Sequence, residues 1–256
     1  MEFIDTHAHL DFEYEDGITP QQIVKEAFDN HVTKIITIGS DPKSLKKIRD
    51  IADSFENVYY SLGIHPHEAK DFNSDIEREI LTLKDKKCVA IGEIGLDFFY
   101  EHSPRGVQKR VFVKQINMAQ ELGLPVIIHI RDADAESYDI LKNEFKDFCN
   151  GVVHCYSGTK EQLKKYLDLG MSVSFTGIIT FNKSLNVQEA AAYSPKERIM
   201  LETDAPFLAP VPYRGKKNYP KYIPLIAKKL SELRKETIEQ VAEYTTSNAV
   251  KFFSLN

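Results

Sequence analysis

Eight histidines occur in the 256-residue chain, and six of them stand at or just after the ends of short β-rich runs. His7 and His9 lie in FIDTHAHLD, His65 and His67 in GIHPHEAK, His129 in PVIIHIR and His154 in GVVHCYS. His31 and His102 stand apart. Two acids join the pattern: Glu93 in VAIGEIGLD and Asp204 in LETDAP. Neutral imidazoles and carboxylates are the donors that hold divalent metal ions. In an extended strand, residues i and i+2 share a face, so His7 and His9 can reach one ion. Glu93 has no adjacent Lys or Arg, and a buried carboxylate needs a cation. Each residue alone has a plainer use. A histidine in an apolar strand can be a hydrogen-bonded core group, and Asp204 can be a turn residue or helix cap. Even without the His65 and His67 run, five separate runs placing imidazole or carboxylate at the same end are hard to explain as packing.

Eight β-rich runs are expected, at residues 3–7, 34–39, 58–64, 88–95, 125–130, 151–155, 171–176 and 199–204. Several are nearly continuous in Val and Ile, as for strands covered on both faces. Amphipathic stretches lie between them. Residues 104–123 carry Val107, Val111 and Met118 near helical spacing, with Pro104 at the start and Gly123 as C-cap. Thr237 to Phe253 reads as a terminal helix with Ile238, Val241, Ala242, Thr245, Ala249 and Phe252 on its buried face. Eight such alternations point to an α/β fold, a single (β/α)₈ TIM-like barrel over residues 1–256, with its active site at the C-terminal ends of the strands. An open doubly wound sheet usually carries a glycine-rich phosphate turn after its first strand; here HAHLD follows, and no G-x-G-x-x-G occurs.

The length matches the roughly 250 residues typical of such a barrel. Charged residues are 28% and AVILMFWYC 42%, a globular balance that excludes wholesale disorder. Three cysteines without a C-x-x-C pair fit a reducing compartment better than a disulfide scaffold. No run approaches about 18 apolar residues, and the opening lacks a basic-then-apolar leader, so a cytoplasmic protein without a membrane span is expected. The formal charge, 33 − 38 = −5, argues against bulk adhesion to duplex nucleic acid. It leaves room for a local anion site. Arg214, Lys216, Lys217 and Lys221, interleaved with Tyr213, Tyr219 and Tyr222, form one candidate, or else a solvated basic loop.

His7, His9, Glu93, His129, His154 and Asp204 are more donors than one tetrahedral ion needs, and they suit two ions. Glu93 can bridge, one oxygen to each ion. His7, His9 and Asp204 would complete one shell, His129 and His154 the other. Two divalent ions and two carboxylates leave about +2, which favours an anionic substrate such as a phosphodiester. Asp97 and Glu202 are expected to orient the ligands.

The motifs together resemble the TatD family of metal-dependent deoxyribonucleases, within the amidohydrolase-like barrels. The resemblance rests on residues 3–11, 63–70, 90–100, 125–133, 152–158 and 201–220, and so runs along the whole chain. It implies a TIM-like barrel, two divalent ions and hydrolysis of nucleic-acid phosphodiesters, with the same six residues as metal ligands. It also places His65, Arg131 and the segment that begins at Arg214 near the substrate. Single-stranded DNA, cut exonucleolytically, is the expected partner, with no obligate protein partner. A water activated between the ions would attack phosphorus, with Asp204 and Glu93 as the catalytic acids and Asp204 taking the water's proton.

Imidazole-rich shells favour Zn²⁺, Fe²⁺ or Ni²⁺, whereas the resemblance implies activity with Mg²⁺ or Mn²⁺. Two rival functions share the motifs. One is an ester or amide hydrolase, such as a D-aminoacyl-tRNA deacylase or a small-molecule amidohydrolase. The other is a non-enzymatic, metal-dependent nucleic-acid binder. Arg131 could instead pair with Glu202 or Asp97. Phe98, Phe99 and Tyr100 read as rim packing or as a base-stacking surface. Strand alternation after His154 turns Cys155 away from the interior, as a small buried residue rather than a nucleophile; Cys88 and Cys149 read the same way.

Overall fold

Val- and Ile-rich runs bury both faces, and the computed structural model, which describes residues 1–14, 17–145 and 150–256, places them side by side in one parallel sheet. The strands follow chain order: β1 (Phe3–Ala8), β2 (Val32–Ile38), β3 (Val58–Leu62), β4 (Cys88–Asp97), β5 (Val126–Arg131), β6 (Gly151–Val153), β7 (Ser172–Phe175) and β8 (Ile199–Leu201). A parallel bridge between Ala8 and Ala205 joins the end of β1 to the segment after β8 and closes the expected barrel. Helices cover its outside: α1 (Pro20–Asp29), α2 (Ser44–Asp53), α3 (Ser74–Leu83), α4 (Arg105–Leu122), α5 (Asp134–Glu144), α6 (Lys160–Asp168), α7 (Leu185–Tyr193), α8 (Ile223–Arg234) and α9 (Ile238–Phe253). Thr19, Thr159 and Thr237 start α1, α6 and α9 with the same device. Each hydroxyl accepts from the backbone of a Gln three residues on, whose side chain accepts from the threonine's own N–H. No helix among the described residues is long and apolar enough to cross a membrane.

The apolar side chains form two clusters. The larger lies between sheet and helices. The smaller contains Ile36, Val89, Ile127, Val152 and Met200 from the strands with Ala249, Phe253 and Leu255 from the chain's end. Val89, Ile127, Val152 and Met200 have the same strand parity as Glu93, His129, His154 and Glu202. One face of each strand therefore carries an apolar floor first and polar donors above it.

Three expectations change. The strands β6 and β8 stop at Val153 and Leu201, so His154 and Asp204 stand just beyond them rather than within. In α4, Val107 is only partly covered, and the buried stripe contains Gln108 and Gln115 with Val111, Phe112, Ile116, Met118 and Ala119. In α9, Phe253 takes the buried place expected for Phe252, and Ile238 is only partly buried. Gly123 caps α4 in left-handed backbone, as its position implied.

Candidate metal centre

Glu93 organises the mouth of the barrel. Its Oε2 lies 3.3 Å from His7 Nε2 and 3.9 Å from His9 Nε2. Its Oε1 lies 2.8 Å from His129 Nδ1, 2.8 Å from His154 Nε2 and 3.5 Å from His65 Nε2. Asp204 Oδ1 completes the first side, 3.6 Å from His7 Nε2 and 3.5 Å from His9 Nε2. Donor atoms of His7, His9 and Asp204 all lie within 4.8 Å of one another, as do those of His65, Glu93 and His129, and those of His7, His154 and Glu202. The first set is the one expected from sequence. The second brings in His65, which the sequence assigned to substrate, and the H-x-H spacing of His65 and His67 was the signal for it.

These groups fit divalent ions. No Lys or Arg pairs with Glu93 or Asp204 among the described residues, and His7 Nε2, His7 Nδ1 and His9 Nδ1 are buried without a hydrogen-bond partner of good geometry. Such orphaned imidazoles are costly in a core and natural around a cation. The charge balance agrees. Burial would raise the Glu93 carboxyl, but His154, His65 and His129 outweigh it and hold it well below the usual carboxylate range. Burial also opposes charging His154, and Glu93 with Glu202 overcomes this, so its imidazole is held well above its usual value. His7 goes the other way, lowered by burial and by His154, which stacks on it at 4.0 Å. His65 is pushed down to about 4 by burial and by His129.

A second layer of polar groups fixes the donors. Asp97 Oδ2 lies 3.2 Å from His129 Nε2 and 2.9 Å from His67 Nε2, while Oδ1 accepts from the N–H groups of Phe99 and Tyr100. This leaves His129 Nδ1 facing Glu93. Glu202 accepts from Ser174 Oγ at 2.6 Å and Cys155 N at 2.5 Å, with His154 Nδ1 3.3 Å away. Asp97 therefore stands beside His129 and His67, and Glu202 beside His154. Asp5, unremarked in the sequence, accepts from His7 N, Thr203 N and Thr203 Oγ1 and ties β1 to the segment carrying Asp204. Gln108 clamps Asp97 N, Asp97 O and Ser103 O, and Gln115 clamps both backbone groups of Ile64. Gly95, at φ 149°, faces His129 so closely that a Cβ would stand 1.9 Å from the His129 carbonyl oxygen. Only glycine lets β4 and β5 approach there.

The open cavity above the donors holds about 1,110 Å³ and is lined by His65, Arg131, Tyr100, Phe207, Cys155 and Asp204 among others. Arg131 does not pair with Glu202 or Asp97 among the described residues. Its guanidinium carbon sits 4.3 Å from the Phe99 ring centre and 4.6 Å from that of Tyr100. Arg214 is not part of this wall; it rests on the Phe181 ring at 4.4 Å. Two further residues of the basic loop are engaged elsewhere: Lys221 pairs with Glu26 and Lys217 donates to the Glu13 carbonyl. Phe98 is buried rim packing, whereas Phe99 and Tyr100 are half exposed. Cys155 lines the cavity instead of pointing away, because β6 has ended and its backbone is left-handed at φ 46°. Burial, with Asp204 and Glu202 nearby, pushes its thiol well above the usual range, which disfavours a thiolate nucleophile. Cys88 is buried, and Cys149 lies outside the described residues.

Residues 4–254 match the profile of the TatD related DNase family. An uncharacterized metal-dependent hydrolase of Bacillus subtilis, YabD, is 36% identical over 256 residues, covering 98% of this chain and 99% of that one. A protein of Rahnella sp. named 3′-5′ ssDNA/RNA exonuclease TatD is 35% identical over 244 residues, 92% of each chain. Among solved structures, the TatD homolog YjjV of Escherichia coli K12 matches with a TM-score of 0.91 and 28% identity, covering 99% of this chain and 98% of that one. With the profile spanning nearly every residue and relatives named as metal-dependent hydrolases aligned end to end, the chain belongs to the TatD related DNase family.

Proposed function

We propose that this chain is one catalytic barrel that hydrolyses phosphodiester bonds of single-stranded nucleic acid, using two divalent ions held by His7, His9, Glu93, His129, His154 and Asp204, with His65 beside the second. The observation that carries this reading is the disposition of Glu93. Its two oxygens face two different donor sets, His7 and His9 on one side, His129 and His154 on the other. Bound there, divalent ions supply Lewis acidity, lowering the pKa of a water and neutralising charge on phosphate oxygens. Mg²⁺ or Mn²⁺ would serve catalysis, and Zn²⁺, Fe²⁺ or Ni²⁺ can occupy the same imidazole-rich shell.

The chain's own groups have distinct tasks. Asp204 has its side chain 14% exposed at the cavity floor, so it can take the proton of the attacking water. Arg131, beside two rings and lining the cavity, offers paired donors to a phosphate. Asp97 and Glu202 hold His129 and His154 in the orientation the donors need. The exonuclease named among the relatives supports a nucleic-acid substrate over an acylated tRNA.

The test uses 3′-labelled single-stranded DNA and a D-aminoacyl-tRNA, with Mn²⁺-loaded protein, with and without chelator. The wild type should shorten the DNA, chelator should stop it, and Glu93→Gln should lose turnover while keeping its circular dichroism. Deacylation of the tRNA with intact DNA would overturn the nuclease reading. Wild-type rates in metal-loaded Glu93→Gln would overturn the bridge.

A further inference from the structure

Ligand cavities are lined largely by apolar and aromatic side chains that a bound molecule covers. Among the described residues, two of the exposed large apolar side chains line the cavity: Tyr100 at 50% and Phe207 at 48%. They follow β4 and β8, which are four places apart in a ring of eight strands, so they face each other across the mouth. Each is held by the metal centre's own framework. Tyr100 N donates to Asp97 Oδ1 at 2.8 Å, and Phe207 N donates to the Asp204 carbonyl at 2.8 Å. Each ring is braced by aromatic neighbours. Tyr100 lies parallel to His102 at 5.6 Å and carries the Arg131 guanidinium at 4.6 Å. Phe207 meets Phe12 at 5.8 Å and 90°, and His9 at 6.2 Å. The donor cluster lies between them, and the cavity of about 1,110 Å³ exceeds the roughly 300–1,000 Å³ of a small-molecule site.

We propose that Phe207 on one side, and Tyr100 with the Arg131 guanidinium plane on the other, are two base-stacking surfaces that grip the bases flanking the scissile phosphate. This rests on the phosphodiesterase reading above and adds what the strand must be. A base has a π-face whatever its identity, so stacking tolerates sequence. A base paired inside a duplex has both faces covered by its neighbours. The clamp therefore selects unpaired strands whose bases can be splayed apart, and Arg131 adds a cationic plane next to the phosphate.

The test compares octathymidylate with an oligomer of the same length and backbone in which every base is replaced by hydrogen. Both are given to Mn²⁺-loaded protein, and kcat/KM is measured for each. Wild type should prefer the base-bearing strand at least about tenfold, the effect that about 1.4 kcal/mol of stacking gives. The preference should shrink toward one in Phe207→Ala and in Tyr100→Ala, mainly through KM, and return in Phe207→Tyr and Tyr100→Phe. These positions are half exposed, and melting curves establish that the variants are folded. Equal rates on both oligomers in wild type, or a preference that survives both alanine variants, would overturn the clamp and leave the nuclease reading standing. Failure to cut either oligomer would overturn the nuclease reading and the clamp with it.

Discussion

Asp5 shows how much of the centre is set by residues that touch no substrate. It is fully buried, and burial raises its carboxyl from 3.8 to about 8 against the lowering effect of the Thr203 and His7 hydrogen bonds. An acid raised in this way binds its proton in the folded chain but not in the unfolded one. Its contribution to stability is complete below about pH 4 and is lost as pH rises through about 8. Over that window one proton makes stability fall by about 1.4 kcal/mol per pH unit. Metal-free Asp5→Asn, an isostere of the neutral acid, should lack that slope, and urea titrations at several pH values check it. An unchanged slope would place the proton elsewhere. The six candidate donors were legible in the sequence because imidazole and carboxylate announce their chemistry by type. His65 was legible as a site residue but not as a neighbour of Glu93, since that depends on how the chain turns after β3. Cys155 was misread because alternation holds only while a strand continues, and β6 ends two residues earlier.

Strands and helices were legible where apolar runs are long. β4 is wholly buried, and its Val, Ile and Leu content marks it plainly. Strand ends were less so, because His154 N still bonds to the Ile128 carbonyl beyond β6 and prolongs the pattern past the regular strand. The face of α4 was misjudged for a different reason. Gln108 and Gln115 were not among the residues expected on its buried side, yet they stand there seven residues apart, where they satisfy backbone groups at the ends of β4 and β3. Removing Gln108 strands the Asp97 N–H and the Ser103 carbonyl in a dry place. Gln108→Ala should destabilise the protein by roughly 2–3 kcal/mol, since each unsatisfied buried group costs about 1–3 kcal/mol. Hydrogen exchange should accelerate over residues 97–103. A variant with wild-type melting and exchange would show that the clamp is not needed to hold the rim.

At the scale of the molecule, a net charge of −5 and a concentrated set of buried acids meet at one mouth. Asp5, Glu93, Asp97 and Glu202 are all buried there, and Asp204 stands beside them. Cations at this place stabilise only the folded chain, because the donors are scattered along the sequence. Adding Mn²⁺ or Zn²⁺ at about 100 times its Kd should raise unfolding free energy by about 2.7 kcal/mol, and chelator should reverse it. His9→Ala should weaken that response, and calorimetry at fixed protein concentration reads it. No metal-dependent shift would remove the ions from the centre. The barrel itself followed from eight alternations of apolar run and amphipathic stretch, whereas its closure through Ala8 and Ala205 could not be read from either segment alone.

That closing seam has a consequence for how the protein is made. Asp204 N bonds to the His7 carbonyl and His9 N to the Ala205 carbonyl, so residues some 200 positions apart in the chain are joined at one seam. A ribosome must deliver β8 and the segment after it before Asp204 can stand beside His7 and His9. An unfinished chain therefore lacks one wall of this cluster.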